Sequence, residues 1–318
     1  MIEQETRERV TEPEARAKGQ RRSTRVEVNG WLCLDKPVGL TSTQAVSQLR
    51  WLYNAKKAGH AGTLDPLASG VLPIAFGEAT KTVSIVQDGV KAYRFVVKWG
   101  EETDSDDSEG RVIATSDARP TADAIEALLS QFTGAITQTP PIFSAIKVAG
   151  ERAYDLARDG EQVELAPREV IVHRLALAEA ERDQATFEAE CGKGTYVRAI
   201  ARDLGRALGC RGHVIALRRT RVGPFYAEAA APLDALRESS ERRSAALLSV
   251  AAGLGEWRAI AVDRNGAAII RRGQKLLLRG RDAPEEGPAY AACFGAPVAV
   301  GEVEAGCFVP TRVFNLAG

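Results

Sequence analysis

The sequence has no excess of either charge: across its 318 residues Lys+Arg and Asp+Glu both number 42. A uniformly positive field that would gather nucleic acid from a distance is therefore absent, and an anionic partner has to be met by local patches. No run approaches the roughly 18 apolar residues of a membrane span, and the charged N-terminus lacks the apolar centre of a secretory signal. The reading is a cytoplasmic chain with no membrane attachment. Cysteine is scarce: Cys33, Cys191, Cys210, Cys293 and Cys307 are scattered, odd in number and never spaced as Cys-x-x-Cys, and His60, His173 and His213 stand far apart. These spacings argue against structural zinc and against a disulfide framework. Nucleophile-elbow and dinucleotide fingerprints are missing, and Gly192-Lys193-Gly194-Thr195 lacks the spacing of a phosphate loop.

What is present is ordinary globular material, 45% apolar and 26% charged, long enough for two domains. Residues 1–28 are rich in Glu, Arg and Thr and are expected to be a disordered tail, with Arg16, Lys18, Arg21, Arg22 and Arg25 solvated. Trp31 to Leu34 reads as a strand. Thr41 followed by Gln44 is a capping-box signature for the helix after it. Tyr93, Phe95, Val97 and Trp99 alternate as in a half-buried strand. The acidic run EETDSDDSEG follows. Counting from Asp104, a calcium loop would need Gly at its sixth place and Glu at its twelfth, where Glu109 and Thr115 stand, so a solvated turn is expected. Thr121 caps a short amphipathic helix, and 138–160 reads as an excursion from the core. Val197, Ile200, Ala201, Leu204, Ala207 and Leu208 share one helical face that ends at Gly209, which places Tyr196 and Arg198 at that helix's N-terminal end. From about Trp257 short strands surround one helical patch, and Arg271, Arg272, Lys275, Arg279 and Arg281 form a basic cluster.

Without a metal cluster or a cysteine–histidine pair, carboxylate chemistry remains. The segment GHAGTLDPLASGVLPIAFGEATK, residues 59–81, carries only Asp65 and Glu78. A lone Asp serves as a nucleophile when a neighbouring cation keeps it ionised, and His60, Lys81 and Arg198 are candidates. Two other readings stay open here: an Asp-Pro turn without chemistry, and a glycosidase pair of Asp65 with Glu78.

Six ordered motifs together resemble the bacterial tRNA pseudouridine-55 synthases, the TruB family: LDKPVGLTS (34–42), GHAGTLDPLASGVLPIAFGEATK (59–81), KAYRFVVKWGEETDSDDSEG (91–110), QTPPIFSAIKVAGERAYDLARDG (138–160), GKGTYVRAIARDLG (192–205) and HVIALRRTRVG (213–223). The resemblance implies an α+β fold. Its pseudouridine synthase catalytic domain, over 29–250, has a mixed, mainly antiparallel sheet flanked by helices. An RNA-gripping insertion lies at about 138–160, with Lys147, Arg152 and Arg158 toward phosphates, and a small PUA-like, β-rich RNA-binding domain covers 256–318. It further implies that Asp65 is catalytic, that Tyr93 stacks on the target base, and that His60 lies by the substrate. Tyr196 and Leu217 would shape the base pocket, Arg198 would pair with the carboxylate, and Lys81 is left without a role. The implied partner is the T stem-loop of tRNA, met by a monomer with no cofactor, no metal, no guide RNA and no obligatory protein partner. Whether Asp65 attacks C6 or C1′ or promotes elimination stays open. An RNA-folding factor with an unused site is the reading from another class.

Overall fold

The computed structural model describes residues 25–144, 146–148, 151–152, 165–278 and 285–316. Its centre is a ten-stranded mixed sheet. The strands run in the order Ala231–Pro232, Gly30–Lys36, Ala68–Phe76, Gly212–Val222, Lys91–Trp99, Gln184–Cys191, Arg168–Ala180, Gly134–Gln138, with Ala58–His60 and Phe225–Tyr226 added at the sides. Only the first pair and the pair Ala68–Phe76 with Gly212–Val222 are parallel. Period-two burial along Lys91–Trp99 places Phe95, Val97 and Trp99 inward, where Phe95 stacks on Phe187 and Trp99 meets its edge. Each such side chain contributes roughly 1.5–3 kcal/mol on burial.

Helices close the sheet where the sequence signals them. Gln44 N donates to Thr41 Oγ1 at 3.1 Å and Thr41 N to Gln44 Oε1 at 2.9 Å, completing the capping box of Ser42–Leu52. Thr121 caps Ala122–Leu129, although only Ile125 of its expected inward face is fully buried. The helix Val197–Ala207 ends as expected, with Gly209 taking φ +66°. It differs from the single apolar face read in the sequence, because Arg198 and Arg202 on its other side are buried as well.

A five-stranded sheet, ordered Arg258–Ala261, Gly287–Cys293, Ala296–Glu304, Cys307–Val313, Leu276–Leu277, forms the C-terminal part with the helix Arg264–Arg271. Its Val300 and Phe314 enter the same apolar cluster as Trp31, Val71 and Phe225 of the large sheet. Lys81 Nζ donates to Glu78 Oε2 at 2.7 Å and to Val313 O at 2.9 Å, and Asn315 N donates to Glu78 Oε2 at 2.6 Å. Lys81 and Glu78 are thus committed to holding the C-terminal strand.

Residues 25–28, the end of the stretch expected to be a tail, are among the described ones. Val26 N donates to Asn54 O at 2.9 Å, Lys56 N to Val26 O at 3.0 Å, and Glu27 pairs with Lys56. The basic residues Arg16, Lys18, Arg21 and Arg22, and likewise Arg158, Arg279 and Arg281, lie outside the described residues; at Lys147 and Arg152 the backbone forms a two-residue ladder. None of the described helices is long and apolar enough to cross a membrane.

Candidate active site

The loop that carries Asp65 is held from several sides. Ser42, in the first turn of its helix, accepts from Leu64 N at 2.9 Å and donates to Leu64 O at 3.0 Å. Gly39 N reaches Pro66 O at 2.7 Å, and Ala68 N reaches Asp65 O at 3.1 Å. Gly62 takes φ +94°, a conformation open to glycine at little cost. Lys36, fully buried, donates to Pro37 O at 2.8 Å and Leu40 O at 2.7 Å, which closes the neighbouring turn. Burial pushes its amine down to about 8, while Asp65 opposes that fall.

Asp65 itself is one-third exposed, and its Oδ2 lies 3.0 Å from Nη2 of Arg198, which is 4% exposed. The guanidinium also donates to Asp107 Oδ2 at 3.1 Å, Ser105 O at 2.8 Å and Phe143 O at 2.9 Å. A cation near a helix N-terminus opposes the helix dipole, and these four acceptors offset that cost. The pair stands between two clefts. One, of about 380 Å³, is lined by Asp65, Tyr93, Tyr196, Arg198, Leu217 and Arg219 among others. The second, of about 340 Å³, is bordered by Asp65, Arg198, Asp107, Arg111 and Phe143. Both volumes fall within the range of small-ligand sites.

Five of the six expected site residues therefore meet in one cleft. His60 does not line it. It lies on the short strand Ala58–His60, opposite Ile74 and half-buried, five residues before Asp65. Tyr93 and Leu217 are neighbours through sheet register, since Leu217 pairs with Phe95 and Arg219 with Tyr93. Burial raises the Tyr93 phenol, against the charge and hydrogen-bonding reach of Arg219. Tyr196 is the N-cap residue of its helix, and Gln138 clasps its backbone: Tyr196 N donates to Gln138 Oε1 at 3.1 Å, and Gln138 Nε2 donates to Tyr196 O at 3.2 Å. Burial raises the Tyr196 phenol too. Glu78 is absent from both clefts, so the glycosidase pair with Asp65 has no geometric basis.

The acidic run EETDSDDSEG corrects the expectation of a solvated turn. Glu102, Thr103, Ser105, Asp106 and Asp107 are buried against the helix Val197–Ala207. Arg198, Arg202 and Arg206, four residues apart and so on one face, meet Asp107 at 3.1 Å, Asp106 at 2.9 Å and Glu102 at 2.6 Å in turn. Sequence reasoning missed Asp107, Lys36 and Arg219. The four-residue spacing of the three arginines beside a run of acids was the signal that could have found Asp107. Among the described residues no group of His, Cys, Asp and Glu could hold a metal ion.

Known proteins share this arrangement of chain. Residues 50–197 match the profile of the TruB family pseudouridylate synthase (N terminal domain), and residues 198–250 match that of the tRNA pseudouridylate synthase B C-terminal domain. The chain is 58% identical to tRNA pseudouridine synthase B of Bradyrhizobium diazoefficiens, over 99% of its own length and 94% of the relative's. It is 54% identical to the protein of the same name from Agrobacterium fabrum, over 91% and 95%. Among solved structures it is similar to a chain in the crystal structure of a Cbf5-Nop10-Gar1 complex, with a TM-score of 0.69 and 25% identity over 90% of this chain and 84% of that one. The chain therefore belongs to the TruB family of pseudouridylate synthases.

Proposed function

We propose that the chain isomerises uridine-55 in the T-arm loop of cytoplasmic tRNA to pseudouridine, as a monomer that needs no cofactor, guide RNA or protein partner. The observation that carries this reading is the Asp65 carboxylate, held at 3.0 Å on a buried Arg198 and opening into a cleft that also holds the Tyr93 ring and Leu217. In the reaction the N1–C1′ bond breaks, the base turns, and a C5–C1′ bond forms. C5 gives up its proton and N1 gains one, so no electrons enter or leave. The chain has to supply a carboxylate at the reacting centre and walls that keep the detached base from escaping.

Asp65 supplies the carboxylate, and Arg198 holds it in place at 3.0 Å. Uridine reaches the cleft only when flipped from its stack, at a cost of a few kcal/mol. Stacking on Tyr93 offsets this by about 1–3 kcal/mol. Leu217 and Tyr196 bound the turning base, and His60, on the strand leading into the loop, is assigned to the RNA beside the flipped nucleotide. The names of the relatives, tRNA pseudouridine synthase B, support tRNA as the substrate.

The test uses unmodified tRNA tritiated at uridine C5. Wild type alone is expected to release tritium from position 55, and Asp65→Asn to bind the tRNA without release. Release mapped to another uridine overturns the site assignment, and no release by wild type overturns the reaction. Equal release by the Asp65→Asn variant removes Asp65 from the chemistry.

A further inference from the structure

Arg219 is 2% exposed, and its guanidinium donates from all three nitrogens to backbone carbonyls. Nε reaches Val71 O at 2.8 Å, Nη1 reaches Thr63 O at 3.1 Å and Nη2 reaches Gly62 O at 3.1 Å. These acceptors are neutral, so the cation is desolvated without a carboxylate in its bonds. That is a poor bargain for stability alone, since apolar residues of similar volume often serve as well or better. The acceptors fall at telling places. Gly62 and Thr63 lie three and two residues before Asp65, and Val71 lies in the strand that leaves the loop. One planar fork thus closes both ends of the Asp65 loop.

The same residue reaches the other side of the cleft. Its Cα is the cross-strand partner of Tyr93, so the two side chains rise from one face of the sheet, and both line the cleft. Irregularities in register between Val214 and Ala216 and between Arg219 and Arg221 bracket this stretch of strand. Gly70 faces it at φ +101°, where an added Cβ would run into the Arg219 carbonyl, so the two backbones approach as closely as they do only because Gly70 has no side chain.

We propose that Arg219 is a positioning residue for the isomerisation, fixing the Asp65 loop and the Tyr93 ring in one mutual geometry. The inference rests on the proposed reaction. Arg198 remains the charge partner of Asp65, while Arg219 acts through the backbone that presents it. A lysine cannot replace it, because a single ammonium lacks the fork that spans three carbonyls.

The experiment compares Arg219→Lys and Arg219→Ala with wild type and with Arg218→Ala. Arg218 pairs with Asp35 and does not line the cleft. Single-turnover tritium release, tRNA dissociation constant and rescue by added guanidinium are measured. A displacement of about 1 Å costs on the order of 100-fold in rate. Both Arg219 variants are expected to lose about that much while affinity changes by no more than about threefold. Guanidinium should restore part of the rate of Arg219→Ala and none to Asp65→Asn, and Arg218→Ala should stay within about twofold of wild type. If Arg219→Ala does not fold, Arg219→Lys, which keeps a cation in place, carries the test. A rate for Arg219→Lys within about threefold of wild type, or a rate loss matched by an equal loss of affinity, overturns the inference. Absence of release by wild type overturns the reaction itself, which is seen before any variant is compared.

Discussion

Asp107→Asn removes one negative charge from beside Arg198 while keeping the side chain's size. Asp107 and Arg198 are each 4% exposed and stand 3.1 Å apart. Unit charges about 4 Å apart at an effective dielectric near 20 interact by about 4 kcal/mol, and breaking a buried pair costs about 3–5 kcal/mol. The Asn oxygen can still accept from Arg198, so the loss belongs at the lower end, about 3 kcal/mol. Asp107 also accepts from Ser105 Oγ at 2.5 Å and from Glu109 N at 3.0 Å, so the loop loosens with it. The consequence for the reaction is separate. With one of its anchoring carboxylates neutralised, the Arg198 guanidinium and the Asp65 carboxylate it holds at 3.0 Å are less firmly placed, and a displacement of about 1 Å costs on the order of 100-fold. Urea unfolding reads the first effect, and single-turnover tritium release with a tRNA binding titration reads the second, with affinity expected to hold. Stability within about 1 kcal/mol of wild type together with a rate within about threefold would falsify the view that Asp107 positions Arg198.

Other perturbations address other links. Tyr93→Ala should weaken binding of the T stem-loop by about 1–3 kcal/mol while Tyr93→Phe keeps most of it; equal losses would point to the hydroxyl rather than the ring. Burial pushes the Asp106 carboxyl from 3.8 up to about 6, against the pull of Arg202. A carboxyl raised in the folded state stabilises fully below its unfolded value and loses that contribution as pH rises through the folded one. Wild type should therefore lose up to about 3 kcal/mol from this group between about pH 4 and 6. The stability difference from Asp106→Asn should vary across that window and level off above it, and a constant difference sinks the assignment. Lys81→Met removes two charge-assisted bonds worth about 1.5–3 kcal/mol each. It should raise amide exchange at Val313 to Asn315 more than in the central strands, and unchanged exchange there would mean that Lys81 does not hold the C-terminal strand.

The sequence was most legible where chemistry is local. The capping box at Thr41 and Gln44, the alternation along Tyr93 to Trp99 and the stop at Gly209 all depend on neighbours within a few residues. Asp65 stood out by its loop, and the motif resemblance carried it to Arg198. What escaped depends on partners far along the chain. Asp107 and Arg198 are 91 residues apart, and Arg219 and Gly62 are 157 apart. A run of acids looks solvated until the helix that neutralises it is folded alongside. Val26 likewise pairs with Asn54 and Lys56, partners that no apolar pattern of its own announces.

The arginines beneath the cleft change what the balanced charge means. Among the described residues, Lys36, Lys91, Arg198, Arg202 and Arg219 are buried, as are Glu102, Asp106 and Asp107, so the described interior carries more positive than negative charge. A polyanion approaching from afar meets no general attraction. A group that enters the cleft, where low-dielectric walls focus the field, meets the buried cations Arg198 and Arg219. The cleft thereby acts on what an RNA inserts, while exposed cations such as Arg271, Arg272 and Lys275 offer charge to any phosphate that passes.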